Sequence, residues 1–244
     1  MTRQEIDIRT EDGTAKAAFV PPSSSTSKAG VILYMDAFGP REALYRMAER
    51  LAGHGYAVLV PDLFYRFGDY APFDARTAFA NEKTGSRLRK MIAETTQDMT
   101  VRDSRAFIHA LSANGATGPI GTVGYCMGGA RALNVAAAYP DRIVAAASFH
   151  GGNLASDAPD SPHRKAASIK ARVYVGSAGV DRSFPPEQSS RLDQALRAAG
   201  VDYIMENYVG MAHGWCVSDH GAYDEKGAER HWKRLATFFA ETLG

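Results

Sequence analysis

Apolar and polar positions follow two patterns along this chain, and the two alternate. Continuous apolar runs of buried-strand length occur at Val31 to Met35, Tyr56 to Val60, Ile120 to Val123, Ile143 to Phe149 and Val173 to Val175, with Tyr203 to Tyr208 as a last strand. Between them lie segments of helical period. Leu44, Met47, Ala48 and Leu51 recur at i, i+3, i+4 and i+7, and Gly53 and Gly55 stop that helix. Leu192, Ala195, Leu196 and Ala199 repeat the face before Gly200, and Trp232, Leu235, Ala236 and Phe239 predict a closing helix. From Ser86 the chain reads as helical through Phe107, Ala110 and Leu111 to a break at Asn114-Gly115. Ile6 to Arg9 and Lys16 to Val20 predict two short strands joined by the turn Glu11-Asp12-Gly13. The alternation predicts an α/β fold over residues 1–244 as one domain. Its sheet is mainly parallel with helices on both faces, and an antiparallel hairpin lies at the N-terminus.

The connecting segments differ in character. Pro21 to Lys28 is serine-rich and reads as a surface loop, and Asn153 to Ala167, with two prolines, as a long one. Leu63 to Phe73 crowds Phe64, Tyr65, Phe67, Tyr70 and Phe73 around Gly68 and Pro72 without a clean period. It follows the carboxyl end of a strand, where open α/β sheets bind ligands. Two readings stand side by side: a loop pinned by its aromatic rings, or a wall over a site.

Composition narrows the classes of partner. In 244 residues the net charge is +1, which gives no reason to expect nucleic acid or an anionic membrane. No signal-peptide core and no transmembrane run appears. The two cysteines, Cys126 and Cys216, make no disulfide framework, so a cytoplasmic, reducing location is expected, which suits a working thiol.

The chemistry concentrates at Gly124-Tyr125-Cys126-Met127-Gly128, between an apolar run and a helix-forming segment. Two glycines flanking a nucleophile at two-residue spacing mark the sharp strand-to-helix elbow of α/β-hydrolases, here with cysteine in the serine position. The elbow exposes the sulfur at a helix start, where free backbone N–H groups and the helix dipole favour a thiolate and an oxyanion. A thiol attacking an acyl carbon needs a base, and the base an orienting carboxylate, in the chain order nucleophile, acid, histidine. Cys126, Asp181 and His213 stand in that order, each just past a predicted strand. Asp181 competes with Asp157, Asp160 and Asp202. It alone follows a glycine-rich turn after a buried strand and precedes Ser183-Phe184-Pro185-Pro186. Of seven histidines, His54, His109, His220 and His231 read as solvated or capping, and His150, which ends a strand, as structural or pocket-lining. The oxyanion hole is expected from the N–H groups of Met127 and Ala37.

With these residues in place the chain is similar to the dienelactone hydrolases (carboxymethylenebutenolidases). The likeness rests on Gly124 to Gly129, Pro61-Asp62-Leu63-Phe64, Asp36-Ala37-Phe38-Gly39, Asp181 before its proline pair, and Ala212-His213. It implies the α/β-hydrolase fold and a cofactor-free, metal-free cytoplasmic enzyme, monomeric or a weak homodimer, that opens an ester or lactone. It also implies that Asp36 takes the thiol proton once substrate arrives, although the family carries glutamate there. After its histidine the family has a serine and, three positions on, an arginine for the substrate carboxylate; here those positions are Gly214 and Val217. Arg87 or Arg89 could match a second family arginine. Phe38, Phe64, Tyr65, Arg87, Trp215 and His150 are the candidate substrate-binding residues, and the substrate is expected to be neutral or aromatic. Against this stands a redox-responsive or binding protein using Cys126 as a sensor thiol, which needs neither Asp181 nor His213.

Overall fold

The computed structural model describes residues 2–24, 28–70 and 72–244. Part of the Pro21 to Lys28 loop (25–27) and Ala71 of the aromatic run lie outside them. Eight strands form one sheet: β1 (Gln4–Thr10), β2 (Gly13–Val20), β3 (Gly30–Tyr34), β4 (Ala57–Pro61), β5 (Ile120–Tyr125), β6 (Ile143–Phe149), β7 (Arg172–Val180) and β8 (Tyr203–Ala212). Among the described residues six α-helices connect and cover them: α1 (Glu42–Gly53), α2 (Glu82–Glu94), α3 (Gln97–Ala113), α4 (Met127–Ala138), α5 (Pro186–Ala198) and α6 (Glu225–Leu243). The spatial order is β1-β2-β4-β3-β5-β6-β7-β8. β1 and β2 pair antiparallel, and β2 runs antiparallel to β4; from β4 to β8 every neighbour is parallel. This is the α/β-hydrolase architecture, with the antiparallel hairpin at one edge.

Two consecutive residues of β5 show how the layers lie. A Cβ at Gly121 would come within 3.0 Å of the Phe239 ring of α6, while Thr122 Oγ1 donates to Ala132 O of α4 at 3.2 Å. Successive strand residues point to opposite faces, so α6 and α4 cover opposite sides of the sheet. The central strands β3, β4 and β5 are buried throughout, as their unbroken apolar runs require. Because these strands are parallel, the segments after β3, β5, β6, β7 and β8 all emerge at one rim.

The single helical stretch expected from Ser86 to Leu111 is two helices. Thr96 caps α3 by accepting from Met99 N at 3.2 Å, and Thr95 closes α2. No glycine or proline marks this break; its signal is a Thr-Thr pair whose hydroxyls compete with the helical ladder. Arg131 of α4 holds the junction, donating through Nη1 to Thr96 O at 2.8 Å and through Nη2 to Thr95 O. β8 runs to Ala212, past the expected end at Tyr208. His231 also departs from expectation. It is fully buried on the inner face of α6, its Nε2 2.9 Å from the Tyr125 hydroxyl, because that helical face also carries Trp232 and Leu235 into the core.

Candidate active site

Cys126 stands between the last residue of β5 and the first of α4, with φ 54° and ψ −120°. A cysteine holds that left-handed backbone only where its surroundings impose it. The flanking glycines make the corner possible: a Cβ at Gly124 would lie 1.9 Å from Gly128 O, and one at Gly128 would lie 2.4 Å from Tyr34 O. The thiol is partly exposed, whereas Cys216 is buried, and burial pushes the Cys216 thiol well above its ordinary range. Met127, at the first position of α4, has a backbone N–H without an intrahelical acceptor. Across the rim, Asp36 Oδ1 accepts from Phe38 N at 3.0 Å, and no hydrogen bond occupies Ala37 N among the described residues.

His213 follows β8, and its Nδ1 donates to Asp181 Oδ2, which follows β7, at 2.7 Å. Asp181 is in turn fixed by Ser183, whose Oγ and backbone N donate to Oδ1 at 2.6 and 2.8 Å. Burial favours the neutral carboxyl, but the bonds from His213 and Ser183 outweigh it and hold Asp181 below its ordinary value. For His213, burial opposes protonation. The interactions with Cys126 and with the Asp181 carboxylate overcome it and raise the imidazole to about 10. Ser183 is a site residue the sequence reading passed over; the Asp-x-Ser spacing of an Asx turn was its signal.

His150 sits deeper. Its φ is 39°, it is 1% exposed, and its Nδ1 accepts from Cys126 N at 3.1 Å. Burial, with His213, His220 and His231 around it, drives it well below the ordinary histidine range, so it is neutral. His220, expected to be solvated or capping, is half-buried, and its Nδ1 accepts from Ala222 N at 3.2 Å. A Cβ at Gly214 would lie 2.5 Å from the His220 ring, and Gly214 itself has φ 97°.

Asp36 is buried and held by a bidentate fork from Arg41, at 2.6 and 3.0 Å, while the same guanidinium reaches Asp219 at 2.6 and 2.8 Å. A proton arriving on Asp36 would cancel the carboxylate charge on which its ion pair with Arg41 depends.

The expected substrate-binding residues divide. Phe38 lies in the loop after β3, edge-on to Phe79 at 5.5 Å; Phe79, missed in the sequence, is 46% exposed beside it. Arg87 is exposed and lies 6.0 Å from the Phe73 ring, and Arg89 is exposed too. Three others are corrected. Trp215 is 0% exposed and packs on Tyr208 and His150, because the turn after His213 folds back under the rim. Phe64 is fully buried against Phe67 and Tyr70. Tyr65 points the other way, its hydroxyl 2.7 Å from Thr10 Oγ1 and 3.3 Å from Asp103. The aromatic run is therefore pinned largely by its own packing, with Tyr70 Oη donating to Asp62 at 2.6 Å and Phe73 N to Phe38 O at 3.1 Å. A cleft of about 550 Å³ opens beside the first turn of α4, lined by Thr96, Met127, Ala130, Arg131, Gly152 and Asn153.

A model of the dienelactone hydrolase family matches residues 16–243. The chain belongs to the dienelactone hydrolase family. It is 26% identical over 236 residues to a carboxymethylenebutenolidase of Rhodococcus opacus, across 95% of this chain and 88% of that one. Among solved structures it is similar to a dienelactone hydrolase-like promiscuous phosphotriesterase from metagenomic libraries. That likeness has 25% identity and a TM-score of 0.81, over 100% of this chain and 99% of the other. A dienelactone hydrolase from Anabaena variabilis shares the fold at 18% identity and a TM-score of 0.68, over 100% of this chain and 99% of that one. Among the described residues of this family member, no group of three or more His, Cys, Asp or Glu side chains could hold a metal ion. Among the described residues, no helix is long and apolar enough to cross a membrane.

Proposed function

We propose that this hydrolase cleaves small carboxylic esters or lactones through a covalent thioester on Cys126, with His213 as acid and base and Asp181 as its orienting carboxylate. The observation that carries the reading is the 2.7 Å Asp181–His213 pair beside a thiol held in a glycine-flanked elbow. The Cys126 sulfur attacks the acyl carbon, and the carbonyl π electrons move onto oxygen. In this reading the N–H groups of Met127 and Ala37 stabilise that oxyanion. Collapse breaks the bond to the alkoxide, which takes the proton from the His213 imidazolium; water, deprotonated by His213, then hydrolyses the thioester. His213 accepts the thiol proton without breaking an existing ion pair, so we assign that step to it rather than to Asp36.

The test is turnover of an activated aryl ester combined with limiting iodoacetamide and mapping of the adduct by mass spectrometry. Inactivation is expected to follow label on Cys126. Loss that tracks label on buried Cys216 would sink the assignment, and labelling of Cys126 without any turnover would favour a sensor thiol.

The acid role of His213 has a pH signature. Its folded value of about 10 stands above the ordinary 6.5, so the imidazolium is present below and lost as pH rises through about 10. The kcat/KM profile is expected to fall on that alkaline limb. In Asp181→Asn the limb should move to lower pH, since a raising partner is gone; an unmoved limb would show that another group titrates.

We further propose a neutral or aromatic substrate. Gly214 has no side chain and no room for one against His220, and Val217 is fully buried and uncharged, so neither can hold a carboxylate. A missing charge-assisted bond costs roughly 1.5–3 kcal/mol, about ten- to a hundredfold in selectivity. Comparison of kcat/KM for dienelactone and for a neutral ester of matched leaving group should favour the neutral ester. A clear preference for the anion would mean that Arg87, Arg89 or another cation binds it.

A further inference from the structure

His150 is a buried histidine against the reacting groups for which the proposed reaction has no step. Its Nδ1 accepts the nucleophile's own backbone N–H at 3.1 Å, a bond that Cys126 N shares with Phe149 O at 3.2 Å. An accepting Nδ1 leaves the ring proton of a neutral imidazole on Nε2. Nε2 is buried and has no partner among the described residues. The ring meets His213 edge-on with centroids 4.7 Å apart, and Trp215 closes its other side at 5.4 Å. Its own backbone lies in the left-handed region at φ 39°, and the next residue, Gly151, packs against Ser148 and Leu154. A bulky residue held in such a conformation, with an orphaned polar atom, is costly and persists only where the surroundings impose it. One imidazole thus touches the backbone of the attacking residue on one side and the ring of the base on the other.

We propose that His150 is a positioning residue that sets Cys126 and His213 in register, its Nδ1 anchoring the elbow N–H and its ring bracing His213. The inference rests on the Cys126–His213 hydrolase reading. The anchor fixes the peptide immediately before the nucleophile, and with it the direction of the sulfur and of the Met127 N–H. The brace limits how far the His213 ring can swing when its proton moves. Neither function requires His150 to touch substrate, so its loss should appear in kcat rather than KM.

Three variants separate these functions from simple packing. His150→Asn keeps an acceptor near the position of Nδ1 and tolerates the left-handed backbone. His150→Gln keeps an amide but carries it too far out, and His150→Phe keeps the ring and removes the acceptor. Misplacement of reacting groups by about 1 Å costs on the order of a hundredfold. His150→Phe and His150→Gln are therefore expected to lose about 10- to 100-fold in kcat with KM changed less than about threefold, and His150→Asn to stay within about fivefold of the parent. Melting temperatures measured alongside identify any variant that has simply unfolded, and the Asn–Gln comparison still decides if the Phe variant does. The rate of Cys126 alkylation by iodoacetamide gives a readout independent of turnover, expected to fall in the same order. Parent-like kcat in folded His150→Phe, or equal losses in His150→Asn and His150→Gln, would overturn the proposal. If the parent itself turned over no ester, the hydrolase reading would fall, and alkylation alone would still decide the role of His150.

Discussion

Replacing His213 by alanine is expected to reduce ester turnover by roughly a thousandfold or more, with Asp181→Asn nearly as severe and Cys126→Ala equivalent to both together. In the proposed mechanism base, orienter and nucleophile act as one unit, so single losses should come close to the whole and be grossly non-additive. The geometry behind this is a chain of contacts in which every member has one task. Ser183 fixes one oxygen of Asp181, the other accepts from His213 Nδ1, and the Cys126 sulfur acts on the same ring. The measurement is kcat/KM for each single variant and for the His213→Ala, Cys126→Ala double, with folding checked by circular dichroism. If folded Asp181→Asn kept near-normal turnover, a different carboxylate would orient the histidine. Effects that summed across the double variant would mean that the residues do not form a unit.

The largest structural effect is expected from Gly124→Ala. The added methyl would stand 1.9 Å from Gly128 O and 2.7 Å from Gly129 N, all backbone atoms that no side-chain rotation can move aside. Relief requires the elbow to open, which separates β5 from α4 at the centre of the sheet. Overpacking of a tight core typically costs about 1–3 kcal/mol, and a clash with fixed backbone falls at or beyond the upper end. Gly124→Ala should therefore appear largely in inclusion bodies or melt many degrees lower, while Gly53→Ala, whose Cβ meets nothing within 4 Å, should behave like the parent. A Gly124→Ala protein with parent-like melting temperature and activity would show that the corner can open without cost.

The parts of this molecule that were legible in its sequence are those where one force dominates. Apolar runs such as Val31 to Met35 sit in the sheet because burying them removes their surface from water. The elbow was legible because only glycine can stand at 124 and 128. The order Cys126, Asp181, His213 was legible because parallel strands deliver their following loops to one rim. What escaped depends on contacts between distant segments. The division between α2 and α3 is set by Thr96 and by Arg131, thirty-five residues away, holding its carbonyl. His231 reads as an exposed helical position until Tyr125 of another element is beside it. Trp215 looked like ligand-facing surface, but the turn that carries it tucks the indole under the rim against Tyr208. Arg41, which no local pattern singled out, became visible only with Asp36 and Asp219 at either end of its guanidinium.

That guanidinium also bears on how the protein is made. Arg41 and Asp219 stand 178 positions apart, and His213 lies just past the last strand of the sheet. Domains form from the N-terminal end as the chain leaves the ribosome, at roughly 5–20 residues per second. For several seconds a nascent chain therefore carries Cys126 with no His213 beside it, and with the Asp36–Arg41 pair still open on one side. In the proposed reading the thiol gains its proton acceptor only once synthesis has passed His213, so a product interrupted between the two residues would hold Cys126 without it.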